Sequence, residues 1–511
     1  MTNPGRAPPS DVSESGVEVC SGTPSPMESA TRYVPSATLS RTDLAKEMEA
    51  MLAQLDVEAD RRSMQIVSSS SSSTSGSFFD AADMGARGAL SGWLQGLSSN
   101  QDDLNSYSIL LSIPIEKKSS FVERAVSDPF YNKIIGSMVG MGVGDALGHP
   151  FEFMPAQDSY GPHDPHFDLK SFRFVDSSNS FRLQRGQWTD DAAMGLCMAD
   201  SLIMRGQFDG SDMRVRFWCW WNRGYNNAFR KDKSRRSSVG LGGNISKSLH
   251  AVGKARHVGN VPPVYEAVSE DAGNGSLMRF APIALMYHSA DLEEVYDIAR
   301  KSSYTTHPGI IAAEACSLLA HLIVRALQLP EGPVDVKDFL EQTTTEYYHR
   351  SGLSKKSGWG YDQMKELVLG QPALATERCW AWREETLNIK STLKARGSRY
   401  NGYPVSAGYF GSYSLDGLAM ALWSVYHTTS FDEAVARSVN LLGDADSHGS
   451  ITGQLAGAIY GYRSIHPKFI EWLNIWDDSD FAVKGAMLAH LGARNGSGSP
   501  KRARTGDASP L

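Results

Sequence analysis

The sequence predicts an all-α domain, and two observations carry that reading. Apolar side chains recur at helical spacing, with Ile311, Ala315, Leu318, Leu319, Leu322 and Ala326 on one face and Leu415, Leu418, Ala419, Leu422 and Tyr426 on another. Alternating strand patterns bounded by turn signals are scarce. The helical pattern runs from about residue 126 to about 492 without an obvious linker, which predicts one large domain. No repeat of roughly 20–50 residues points to a solenoid.

The flanks read differently. In residues 1–125 Pro, Ser, Thr and Glu dominate the start, and Ser68 to Ser73 form an unbroken run. Such a segment buries too little apolar surface to offset its chain entropy, so a largely disordered extension is predicted. Within it Leu44, Met48, Met51, Leu52 and Leu55 follow helical spacing and predict a helix at 43–60. That helix either docks on its own domain or binds a partner. Residues 493–511 read as a disordered polar tail whose "KRAR" (501–504) has the composition of a nuclear import patch. A chain spanning about 120–492 is therefore expected to fold by itself.

Composition limits the function classes. With 511 residues and 41% hydrophobic content, the chain can bury a core without staples. Its five cysteines (Cys20, Cys197, Cys219, Cys316 and Cys379) are odd in number and contain no CxxC pair, which matches neither a disulfide framework nor a zinc ribbon. A net charge of −7 gives no basic field for nucleic acid. The N-terminus lacks a secretory pattern, and no apolar run is read as approaching the roughly 18 residues of a membrane span. The expectation is a soluble, cytoplasmic monomer, with the nucleus as an alternative address, that engages neither nucleic acid nor membrane.

Four segments break the helical background with polar groups. In "IIGSMVGMGVGDALGHPFEF" (134–153), Gly136, Gly140, Gly142 and Gly144 would each destabilise a helix by about 1 kcal/mol relative to alanine, so something must require close backbone approach. Tight helix packing explains the first two. Asp145 and Glu152 follow where the chain leaves the helix toward Pro150 and Pro155, and carboxylates there can face a cleft.

"GQWTDDAAMG" (186–195) places Thr189, Asp190 and Asp191 before a helix. Capping by Thr189 or Asp190, with Asp191 favouring the helix dipole, accounts for one or two of them but not for three consecutive oxygen donors. "LLGDADSHGSITGQLAGAIYG" (441–461) repeats the chemistry with Asp444, Asp446 and Ser447. If the two trios converge, four carboxylates meet, and divalent cations are needed to neutralise them. Hard oxygen donors suit two Mg²⁺ or Mn²⁺ ions, and no Cys/His set competes for a softer metal.

The fourth segment, "DAGNGSLMRFAPIAL" (271–285), offers free backbone N–H groups around Asn274 and Gly275, and the Ser276 hydroxyl, as a cradle for phosphate or sugar hydroxyls. "TTHPG" (305–309) sets His307 just ahead of a helix, where an imidazole can meet a substrate. "VGLGGN" (239–244) lacks the preceding strand of a dinucleotide fingerprint, and "HDPH" (163–166) sits in a Pro/Gly-bounded loop.

From about Tyr131 to Tyr462, "GVGDALGHPFE", "GQWTDDAAM", "GNGSLMRFAPI", "TTHPG" and "LLGDADSHGSITGQLAGAIYG" occur in the order found in the ADP-ribosylglycohydrolases, and the chain resembles that family, which includes the dinitrogenase reductase-activating glycohydrolase. The resemblance implies a single large orthogonal helical domain with a two-metal cleft that removes ADP-ribose from a modified protein or a small ADP-ribosyl conjugate. It also implies Thr189, Asp190, Asp191, Asp444, Asp446 and Ser447 as metal ligands, Glu152 beside the metals, and Asn274, Gly275, Ser276 and His307 as contacts to ADP-ribose. Where the family usually reads GGDTDT, this chain reads LGDADS (442–447), which keeps a ligating hydroxyl but alters the loop. Cleaving the glycosidic bond passes through an oxocarbenium-like state, and one of Asp190, Asp191 or Glu152 takes the attacking water's proton. The alternatives are a silent relative used as a structural or ADP-ribose-binding protein, and a different two-metal hydrolase such as a phosphodiesterase. Between arginine and serine linkages the wording of the motifs leans slightly toward arginine.

Overall fold

A computed structural model describes residues 40–69, 108–232, 234–235, 237–255, 260–269, 272–401, 403–404 and 408–496. Most of the Ser/Pro-rich extension and the "KRAR" tail lie outside these residues. The regular structure of the described chain is helical, apart from two antiparallel two-stranded ribbons, His166–Asp168 with Arg173–Val175 and Arg399–Tyr400 with Tyr403–Pro404.

Two antiparallel helices, Pro129–Gly148 and Ala445–Tyr460, form the centre. The first starts cleanly because Asp128 accepts hydrogen bonds from the N–H groups of Phe130 and Tyr131, and Pro129 sits where a missing N–H does no harm. Its glycines fall four residues apart on one stripe and meet a matching stripe of the second helix. A Cβ on Gly136, Gly140 or Gly144 would lie 2.5, 2.1 or 2.1 Å from the carbonyl oxygen of Gly457, Gly453 or Gly449 respectively, and one on Gly148 would lie 2.2 Å from that of Ala445. Only hydrogen fits at these contacts. Gly144, which the sequence left unexplained, thus belongs to the packing stripe with Gly136 and Gly140, whereas Gly142 faces the ring of Phe481. Both helices are buried on nearly every side, so neither shows an amphipathic pattern.

The N-terminal region carries the helix expected at 43–60, in its docked form, and a second helix at Ile115–Ala125 where disorder was expected. The helix Arg41–Ser69 buries Leu44, Met48, Met51, Leu52 and Leu55 in the same apolar core as the rest of the domain and packs on the helix Asp480–Gly496. Glu47 accepts from Arg124 at 2.6 Å, and Glu49 meets His490 at 2.7 Å. The helix Ile115–Ala125 buries Phe121, Val122 and Ala125, while Lys118 pairs with the buried Asp480. Charged residues separate the apolar ones in Ile115–Ala125, and the low apolar density made that segment read as disordered.

The helix Ile310–Leu327 departs from the reading that no apolar run approaches a membrane span. It has 18 residues of mean hydropathy 1.8, but 89% of it is buried inside the protein, as expected for a core helix.

Two outcomes test this packing. Gly140→Ala is expected to destabilise the fold by about 1–3 kcal/mol or more through overpacking, while Gly243→Ala, whose Cβ meets nothing within 4 Å, leaves the melting temperature within a degree or two. A chain beginning at residue 120 is expected to melt at lower temperature or aggregate, whereas one beginning at residue 39 melts like the full chain. Equal melting temperatures for the two would show the N-terminal helix to be dispensable.

Candidate functional site

The antiparallel pair places the end of Pro129–Gly148 beside the start of Ala445–Tyr460, so Asp145 and Asp446 share one end of the contact. A third helix, Asp190–Arg205, starts at the same place. Its cap comes from Asp145 and not from Thr189 or Asp190, as the sequence suggested. The Asp145 carboxylate accepts the N–H groups of Thr189 at 2.9 Å and Ala192 at 2.9 Å. The Thr189 hydroxyl is then left among three carboxylates, 2.9 Å from Asp145, 3.1 Å from Asp191 and 3.4 Å from Asp446.

Asp444 and Glu152 complete the cluster from two loops that pair with each other. Residues 152–154 run alongside Gly443, with the Phe153 N–H donating to the Gly443 carbonyl and the Gly443 N–H to that of Met154, both at 3.0 Å. Leu442 and Gly443 adopt left-handed backbone (φ 59° and 73°), which turns the chain into the helix bearing Asp446. Neutral donors orient Asp444: Asn274 Nδ2 at 2.6 Å and the Tyr409 hydroxyl at 2.7 Å.

Two carboxylate triads result, Asp145 with Asp191 and Asp446, and Glu152 with Asp444 and Asp446, the chosen oxygens of each lying within 4.8 Å of one another. Asp446 is the shared corner. Ser447 lies next to them, close enough to Asp191 and Asp444 to favour their ionised forms. Asp190 is a member of neither triad, though the charges of Asp191, Asp446 and Asp145 act on it, and it faces the backbone of Gly240, where a Cβ would fall 2.0 Å from its Oδ1.

Burial raises the proton affinity of all six carboxyl groups. Like charges add to it for Asp145, Glu152, Asp190 and Asp191, which are pushed well above the usual carboxylate range, and Asp446 is pushed up to about 8. Asp444 is raised less, because Tyr409, Asn274 and Ser447 hydrogen-bond it. Four other buried acids in this protein are matched by cations: Asp200 by Lys484 at 2.8 Å, Asp212 by Arg216 at 2.6 Å, Asp416 by Arg396 at 2.5 Å and Asp480 by Lys118 at 2.5 Å. Among the described residues the two triads have no such partner, and Glu152 Oε2 and Asp191 Oδ1 are buried without a hydrogen bond. An all-oxygen donor set with unsatisfied buried atoms and no matching cation fits divalent metal ions.

The segments read as a substrate cradle divide. Asn274 reaches the cluster through Asp444, and Gly275 packs against the His307 ring. The Ser276 hydroxyl turns into the interior, where Ser303 and Cys316 donate to it. His307 is buried beside Thr306 and held neutral, its pKa lowered to about 3 by burial and then by Arg279. Two residues at the cluster were not singled out from the sequence, whereas Asp145 was read there as a carboxylate able to face a cleft. Tyr409 and Gly240 had no local signal, because loop residues far apart in the chain reach the cluster only through tertiary packing.

The sequence model of the family described as ADP-ribosylglycohydrolase matches residues 127–494. An ADP-ribosylarginine hydrolase of Serratia proteamaculans is 28% identical over 345 residues, covering 67% of this chain and 75% of its own. One from Pseudomonas putida is 27% identical over 340 residues, covering 66% and 72%. The ADP-ribosyl-[dinitrogen reductase] glycohydrolase of Rhodospirillum rubrum is 27% identical over 350 residues, covering 68% and 91%.

The electrostatics predict a pH signature. A carboxyl whose folded pKa is raised stabilises the fold below its unfolded pKa near 4 and loses that contribution as pH rises through the folded value, here about 8 for Asp446. In chelator, this cluster therefore weakens the fold as pH rises from 5 to 8, and bound cations reverse the effect. The gap between melting temperatures with Mg²⁺ and with chelator is expected to widen over that range. A gap that is absent, or that narrows, would contradict cation binding at the cluster.

Proposed function

The chain belongs to the ADP-ribosylglycohydrolase family, and from that premise we propose that it hydrolyses the N-glycosidic bond between ADP-ribose and an arginine side chain of a modified protein, using two Mg²⁺ or Mn²⁺ ions. Hydrolysis of the glycosidic bond to ADP-ribose is the reaction of its relatives, and two of them are named for arginine-linked substrates. The observation that carries the proposal is the pair of carboxylate triads joined at Asp446, buried and without matching cations among the described residues.

Thr189, Asp191, Asp444, Asp446 and Ser447 would hold the ions, with Asp145 and Asp190 adding charge around them. When bound, the ions neutralise the cluster, polarise ribose hydroxyls and lower the pKa of a water. The chain's own residues do the rest. Asn274 and Tyr409 hold Asp444 in one orientation, and Asp145 does the same for Thr189 through the backbone and the hydroxyl. Glu152 lies on an extended loop, with Oε2 unpartnered, and is the group to receive a proton from the attacking water. The water oxygen bonds to C1″, the C1″–N bond breaks, and its electron pair leaves with the guanidino nitrogen, which takes up a proton. Asn274 and Gly275 border the side where the ADP-ribose moiety would enter, and the neutral His307 backs Gly275.

Substitution separates these roles. Asp191→Asn and Asp446→Asn are each expected to lower kcat by at least about 100-fold. Ser447→Thr stays near wild type, and Ser447→Ala weakens metal affinity by about 10–100-fold because only alanine lacks the hydroxyl. The linkage is read by assaying one preparation on arginine-linked and serine-linked ADP-ribose, and release from serine alone would refute the arginine assignment.

A further inference from the structure

Phe153 follows Glu152 directly and is unusual in two ways. Its backbone is left-handed at φ 68°, a conformation that residues other than glycine rarely adopt, and the residue is 53% exposed. The conformation is imposed by the loop pairing: the Phe153 N–H is tied to Gly443 and the next residue's carbonyl accepts from Gly443, so the residue cannot relax without releasing the loop that carries Asp444. The result is a large apolar ring facing solvent beside a buried acidic cluster.

The ring belongs to a shelf. Tyr409, whose hydroxyl donates to Asp444, stacks on Phe153 at 5.8 Å between centroids and 27° between planes, and Phe181 meets it edge-on at 5.7 Å. The loop bearing Phe181 is fastened to the same segment, with the Asn179 N–H donating to the Pro150 carbonyl at 2.9 Å and Arg235 holding the carbonyls of Phe181 and Arg182. Three aromatic rings are therefore fixed at the mouth, with Glu152 and Asp444 behind them.

An exposed aromatic face flanked by carboxylates suits a planar cation. Adenine is separated from the anomeric carbon by two riboses and a pyrophosphate, whereas Phe153 is adjacent in sequence to the group beside the reacting centre. We infer that the Phe153 shelf, with Phe181 and Tyr409 as its sides, is the leaving-group subsite and receives the arginine guanidinium by cation–aromatic stacking. This rests on the arginine-linked reading above. A serine hydroxyl offers neither charge nor a flat face, so the shelf would favour arginine over serine.

The test compares full-length wild type, Phe153→Leu and Phe153→Tyr on ADP-ribosylarginine, with free ADP-ribose as competitive inhibitor. Leucine keeps an apolar side chain and loses the aromatic face, so KM is expected to rise roughly tenfold with kcat within about threefold, while tyrosine keeps KM within about twofold. The inhibition constant of ADP-ribose, which lacks a leaving group, stays unchanged in all three. Phe181→Leu, acting from the other side of the shelf, repeats the test with a smaller KM increase if the Phe153→Leu protein melts early. Wild-type KM in both leucine variants, or an ADP-ribose constant that rises in step with KM, would overturn the shelf assignment while leaving arginine hydrolysis intact. Wild type that cleaves only serine-linked ADP-ribose would overturn the linkage reading and the shelf together.

Discussion

The backbone contact between Pro129–Gly148 and Ala445–Tyr460 decides where every acid in the cleft can be. With a carbonyl oxygen in the place of a side chain at four successive levels, the helices cannot slide or rotate without collision. Asp145 and Asp446 sit at the same end of that contact, so their separation is a property of the packed backbone and not of flexible side chains. Asp145 then caps the third helix, which carries Asp191 and the Thr189 hydroxyl to the same point. One contact thus gathers groups that are 46 residues apart (145 to 191) and 301 apart (145 to 446) in the chain.

Such rigidity has an electrostatic consequence. A flexible set of carboxylates would spread apart or reach for water, but these are buried, and several are fixed by neutral donors that orient them without cancelling their charge. The core acids Asp200, Asp212, Asp416 and Asp480, by contrast, each have a cation of the chain beside them. The cleft is therefore built to take its positive charge from outside, and that requirement links the packing of glycines to metal-dependent hydrolysis of ADP-ribose bonds.

The N-terminal helix supports this arrangement from behind. It packs on Asp480–Gly496, which in turn lies against the glycine-striped helix, while Arg41 reaches Asp128 at that helix's cap. Lys118 and Arg230 hold Asp480 at the start of Asp480–Gly496. Residues 41–58 and 108–125, ahead of the family-matched region, are thus part of the domain's frame, tied to the element that positions Asp145.

The sequence by itself determined the helical class, the two oxygen-donor trios and the family, because each of these is written in local patterns: helical spacing of apolar residues, and short runs of Asp, Thr and Ser at helix starts. It also exposed the glycine stripe on one helix, though not that Gly449, Gly453 and Gly457 answer it on another. Tertiary structure alone decided which acids meet. It brought Asp145 into the cluster, turned Ser276 inward and brought in Tyr409, Gly240 and the Phe153 shelf. It also drew residues 41–58 and 108–125 into the core. These features depend on pairings between distant segments, and a polar or aromatic residue in a loop carries no local mark of the partner it will meet.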